Sequence, residues 1–188
     1  MCYPNQVSFT GKGGYDKKYY HNEDDKYGWL EFKDENLIKS ELECYERLRK
    51  IEGINLPEVH YESSIPKPLL KHDDPCGCQV AKCGYFIRHL NIVKSIKPVM
   101  CRFEFIPRSI GIEDPSQILN AINDLKQLSQ EAVLKAILST CGELTLAFDR
   151  SDNHFYLMDY GYGDGTSNID GILGGIQTMI NSLEKLLK

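Results

Sequence analysis

Apolar positions change period several times along the chain, and each change marks an element. Residues 7–33 carry "VSFT", "KKYYH" and "YGWLEFK", which predict strands. The glycines of "GKGG" and the polar run "HNEDD" predict the turns between them. The period then lengthens. In "DENLIKSELECYERLRKIEG", Leu37, Ile38, Leu42, Tyr45, Leu48 and Ile51 recur at helical spacing, with Asp34 or Asn36 as cap and Gly53 as stop. Beyond it, "INLPEVHYES" predicts a short strand entered through Pro57 and "CQVAKCGYFIRHLNIV" a hairpin. "KPVMCRFEFIP" predicts a longer strand.

The second half is mostly helical. "EDPSQILNAINDLKQLSQEAVLKAILSTCG" predicts a helix capped by Asp114, with Pro115 in its first turn and a break near Ser129. Ile118, Leu119, Ile122, Leu125 and Leu128 form its predicted apolar face. Strands Glu143–Phe148 and His154–Asp159 are expected to pair through "DRSDN". "YGDGTSNIDG" reads as a loop, and "ILGGIQTMINSLEKLLK" as an amphipathic helix weakened by Gly174 and Gly175. The order strands, helix, strands, helix, hairpin, helix predicts an α+β fold with its sheet concentrated early. The length of 188 residues fits one domain, or one domain of two small lobes; the expected elements fall as an N-terminal antiparallel sheet with one helix over 1–107 and a helical part with a hairpin over 108–188.

Charge and composition narrow the function classes. A formal net charge of −5 argues against a nucleic-acid partner, which calls for a basic footprint. No run of about 18 apolar residues occurs, so no membrane span is expected. The first residues, "MCYPNQVSFTGKGG", lack a charged region followed by an apolar one, so no secretory signal is expected either. The seven cysteines, odd in number and irregular in spacing, then point to reduced thiols in a cytoplasmic setting.

Several residues stand in an order that carries chemistry. "GKGGYDKKY" joins two predicted strands, "WLEFK" ends a strand in Lys33, "SELECYERLRKI" places Glu41 on the helix, and "DYG" follows the second hairpin. This order resembles the protein kinases. The resemblance implies that Gly11, Gly13 and Gly14 cover the phosphates of ATP. It further implies that Lys33 grips those phosphates, Glu41 positions Lys33, and Asp159 holds Mg²⁺. "VMCRFEFIPRSIGI" resembles the strand and hinge between the family's two lobes, with the nucleotide between them. Two departures qualify this. Asp16 stands where the family has its third glycine. The stretch "VLKAILSTCGELTLAF" has no catalytic His, Asp or Asn, so that Leu138 falls near the missing aspartate and Glu143 near the missing asparagine. On this resemblance Glu143 would be a replacement metal ligand, whereas Leu138 cannot accept a proton. About thirty residues follow Asp159. The lower lobe implied is therefore reduced, as in the minimal kinases of some bacterial effectors, which act in a host cell's cytoplasm.

The reading is an atypical kinase-like protein that binds nucleotide and Mg²⁺ and transfers phosphate to a protein. Its alternative is an inactive pseudokinase or protein-interaction module with an unidentified protein partner. A third reading takes the cysteines as the chemistry. His72, Cys76, Cys78 and Cys83 are zinc-ligand types, but their spacing is not the paired C-x-x-C signature, which argues against zinc. Cys44 reads as core packing. Cys141, at a helix C-terminus, sits where a thiol pKa rises. Asp149 and Asp152 read as turn residues, and Tyr15, Tyr19, Tyr20, Tyr27 and Trp29 as sheet packing.

Overall fold

In a computed structural model of the chain, residues 5–7, 17–21, 26–32, 35–60, 84–160 and 168–188 are described. They form an α+β fold with two antiparallel sheets and four α-helices. The chain divides into two compact units, residues 1–40 with 57–89 and residues 41–56 with 90–188. The expected division at 107 falls inside the second unit.

The first unit holds a five-stranded sheet of order β1-β2-β3-β5-β4. Its strands are β1 (Asn5–Val7), β2 (Lys17–His21), β3 (Tyr27–Phe32), β4 (Val59–His60) and β5 (Gly84–Arg88). The expected strands "KKYYH" and "YGWLEFK" are β2 and β3. The central strand β3 pairs with both β2 and β5, so that Leu30 stands opposite Tyr19 on one side and Tyr85 on the other. Tyr19, Leu30, Phe32, Tyr85 and Phe86 are buried. Trp29 meets Phe86 edge-on at 4.8 Å, and Phe32 meets Tyr85 at 5.4 Å. Aromatic pairs of this kind add about 0.5–1.5 kcal/mol each beyond the area they bury. Aromatic packing, as expected for Tyr19, Tyr27 and Trp29, holds this sheet.

Helix α1 (Glu35–Leu48) follows β3. Ile38, Glu41, Cys44, Tyr45 and Leu48 are buried, a stripe of spacing three and four, while Leu37 is exposed. The helix stops before Gly53, whose φ is 80°.

The second unit contains β6 (Ser95–Ile96), β7 (Thr145–Asp149) and β8 (His154–Met158), in that spatial order, with α2 (Pro115–Leu128), α3 (Glu131–Cys141) and α4 (Ile169–Glu184). The helix pair breaks at Ser129–Gln130, as the sequence suggests. Asp114 precedes α2, and its N–H donates to Gln117 Oε1 at 3.0 Å. Ile118, Ala121, Ile122, Leu125 and Leu128 are the buried face; Leu119 is 53 % exposed, so Ala121 takes its place in the expected stripe.

Two expectations are corrected here. "KPVMCRFEFIP" is not a long strand: Pro98 opens a 3₁₀ turn over Pro98–Cys101, and a second runs over Pro107–Ile110. Two prolines remove ladder donors from the segment. Its buried residues, Pro98, Cys101, Phe105 and Pro107, do not alternate with the period of a strand. Gly175, expected only to weaken α4, has a positive use. A Cβ there would lie 1.7 Å from Pro98 O, so the turn packs on the helix only where a side chain is missing.

The strand expected in "VSFT" overlaps β1, and its last three residues lie outside the described residues. So do residues 162–167 of the expected loop "YGDGTSNIDG" and the first part of "CQVAKCGYFIRHLNIV"; the loop's last three residues, 169–171, are instead the start of α4. Of that proposed hairpin only β5 is described.

Candidate functional site

Residue order brings β7 and β8 into a hairpin whose far end delivers Asp159. Register runs from Thr145↔Met158 to Asp149↔His154, and every residue of β7 is buried. Phe148 packs edge-on against Phe155 at 5.4 Å. Asp149 is expected as a turn residue. It is instead the last residue of β7, fully buried, and accepts from Asn91 N at 3.0 Å, Ser151 N at 3.0 Å and Ser151 Oγ at 2.5 Å. It ties the turn to the chain entering β6. Asp152 accepts from the Tyr156 hydroxyl at 2.6 Å.

The outer edge of β8 is closed by side chains and by one loop. Phe155 N donates to Asp124 Oδ2 at 2.8 Å, Leu157 N donates to Asn55 O at 2.9 Å, and Asn55 Nδ2 donates to Phe155 O at 3.0 Å. These are the groups that an added strand would use. Asp124 also lies 3.1 Å from His154 Nδ1. Burial pushes the Asp124 carboxyl above its ordinary range, against the lowering effect of Phe155 N and His154. A cavity beside Asn55, Asp124 and Phe155 has room for about one water molecule, far below nucleotide size.

Asp159 follows β8 with φ 59°, a left-handed conformation that aspartate adopts more readily than most residues. Its side chain is exposed, and the next residue, Tyr160, is buried at 2 % exposure. Tyr160 donates to Leu157 O at 3.1 Å and packs against Tyr45 at 5.5 Å between ring centres. Its hydroxyl pKa stands well above the usual tyrosine value. Burial is the main cause, followed by Tyr45, Glu41, Cys141 and Asp159. Glu41 and Asp159, two of the residues singled out in the sequence, are thus minor contributors to that rise, behind burial and Tyr45. Glu41 is 4 % exposed, an unusual position for a carboxylate.

The remaining expected residues are placed differently. Lys33, Gly11, Gly13 and Gly14 lie outside the described residues, as do His72, Cys76, Cys78 and Cys83. Glu143 forms an ion pair with Lys97 at 2.7 Å. Leu138 is buried on α3. Among the described residues, no three groups of His, Cys, Asp or Glu type are gathered to hold a metal ion. Cys44, Cys101 and Cys141 are buried free thiols. Burial pushes all three pKa values up, Cys141 to about 11, so none is an activated thiolate. For Cys141 the sequence suggested the helix end as the cause; the leading one is burial.

Sequence reasoning passed over Thr145. It opens β7 opposite Met158, is 6 % exposed, and its hydroxyl is buried with no hydrogen-bond partner. Leaving such a group unpaired costs about 1–3 kcal/mol. No sequence signal separates this threonine from any other strand threonine.

No protein-family model matches the chain, and no curated protein matches it. No helix among the described residues is long and apolar enough to cross a membrane.

Proposed function

We propose that the protein is kinase-like and binds a nucleotide with Mg²⁺, Asp159 being the metal-holding residue and Lys33 the phosphate-gripping one. The observation that carries this reading is Asp159 held at positive φ directly after the hairpin strand β8, with its side chain exposed. A carboxylate fixed in a sparsely populated conformation is a feature of functional sites. The order of elements supports the same reading: an antiparallel sheet, a helix following its third strand, and a hairpin ahead of "DYG".

The residues present fit Mg²⁺ in kind. Asp159 offers hard carboxylate oxygens, and Thr145 an oxygen lacking a protein partner. Glu143 is already engaged by Lys97. When bound, the metal supplies charge neutralisation for the phosphates. Glu41 would restrain Lys33, and the glycines at 11, 13 and 14 would let the backbone approach the phosphates closely.

Binding without phosphate transfer is the favoured form of this proposal, because buried Leu138 offers no base for a hydroxyl proton. The unfolding temperature should rise with ATP and Mg²⁺ together. Asp159→Ala should weaken binding about tenfold or more by removing the charged ligand. No shift with ATP, ADP or GTP would refute nucleotide binding. Phosphate transfer that vanishes in both Lys33→Ala and Asp159→Ala would instead establish an active kinase.

A further inference from the structure

The most exposed large apolar side chains among the described residues lie close together in one short stretch. Phe103 is 94 % exposed and Met100 79 %, with Ile106 at 54 %. Slackness does not explain this. Pro98, Cys101, Phe105 and Pro107 are buried at short intervals beneath the stretch. Pro98 O rests where Gly175 leaves room, and Thr178 Oγ1 donates to Arg102 O at 3.1 Å. The outward side chains are therefore carried on an anchored backbone, which lowers the ordering cost of association.

Phe103 stands between Arg102 and Glu104, both exposed. Neither makes an ion pair among the described residues, and the Arg102 guanidinium lies 5.9 Å from the centre of its neighbour's ring. A cation before the aromatic residue and an anion after it are complementary to themselves under a twofold axis. Two copies meeting with this stretch antiparallel bring Arg102 opposite Glu104 twice, around paired Phe103 rings. Phenylalanine, methionine and arginine are also the types enriched where interfaces bury their centres. Glu104 within the patch and the chain's net charge of −5 weigh against an anionic bilayer as the occupant.

We propose that two copies of this chain associate about a twofold axis through Met100, Phe103 and Ile106, with Arg102 and Glu104 pairing across the interface. Light scattering on the eluting full chain should give twice 21.5 kDa at high concentration and fall toward the single mass on dilution. Phe103→Asp should abolish the dimer. Glu104→Arg should weaken it about tenfold or more. Arg102→Glu combined with Glu104→Arg should restore it to within about threefold, because the swap rebuilds both pairs. All three positions are exposed, so thermal unfolding of dilute variants should match the parent and report that they fold. A chain that stays at the single mass, a dimer that survives Phe103→Asp, or a double swap as weak as Glu104→Arg alone each overturns the proposal. So does a monomer that sediments with phosphatidylserine vesicles, which assigns the stretch to lipid.

Discussion

Gly174 and Gly175 are neighbours of the same type on one helix, and their surroundings give them opposite roles. A Cβ at Gly174 meets nothing closer than Arg102 Nε at 3.9 Å, whereas one at Gly175 would overlap a carbonyl. Gly174→Ala should therefore stabilise the protein by about 0.5–1 kcal/mol, the helix-propensity gain. Gly175→Ala should destabilise it by about 1–3 kcal/mol despite the same gain, because backbone must move. Denaturant midpoints for the two variants test this, and a shared sign would refute it. In the sequence the pair is simply two helix breakers; which of them is required depends on Pro98, far away in the chain. Asp149 was similarly opaque. Its type suits a turn, and only the fold shows it fully buried, with a backbone amide from Asn91 aimed at it.

At the level of elements, periodicity was informative where one rule governed a segment. Helix α1, helix α2 with its Asp114 and Pro115 start, and the β7–β8 hairpin follow from spacing and caps. The stretch after β6 did not, because "CRFEFIP" has strand composition while two prolines and uneven burial govern its shape. The cover over β8 was likewise invisible, since Asn55 and Asp124 come from separate elements. Asp124→Ala should leave Phe155 N without its acceptor and cost about 1–3 kcal/mol. Hydrogen exchange should accelerate at Phe155 more than at Leu157, whose amide keeps Asn55 O. Equal acceleration at both would refute separate protection. The raised Asp124 pKa has a defined sign. The folded state holds its proton to higher pH than the unfolded one, so this carboxyl's contribution to stability falls as pH rises from the ordinary value of 3.8 through its folded value. Asp124→Asn should flatten that part of a stability-against-pH curve.

For the molecule as a whole, the α+β class was legible from the order of elements. Of the candidate site the sequence offered only an order of residues, Glu41 on a helix and Asp159 after a hairpin; the burial of Glu41 and Tyr160 and the positive φ of Asp159 are tertiary information. Buried acids set the response to alkali. The Cys141 pKa is raised from 9.0 to about 11, and that of Tyr160 lies well above 10.0. In the unfolded chain both ionise earlier, so their stabilising contribution is complete below pH 9 and is lost as pH rises through the folded values. Denaturant midpoints should drop steeply from pH 9 to about 11. Cys141→Ala should lessen the slope, and an unchanged slope would remove Cys141 as a cause. The covered edge of β8 has a consequence for synthesis. Asn55 and Asp124 both precede β8 in the chain, so a growing polypeptide has made both parts of the cover before the strand leaves the ribosome. The groups that close this edge are thus synthesised before the edge itself.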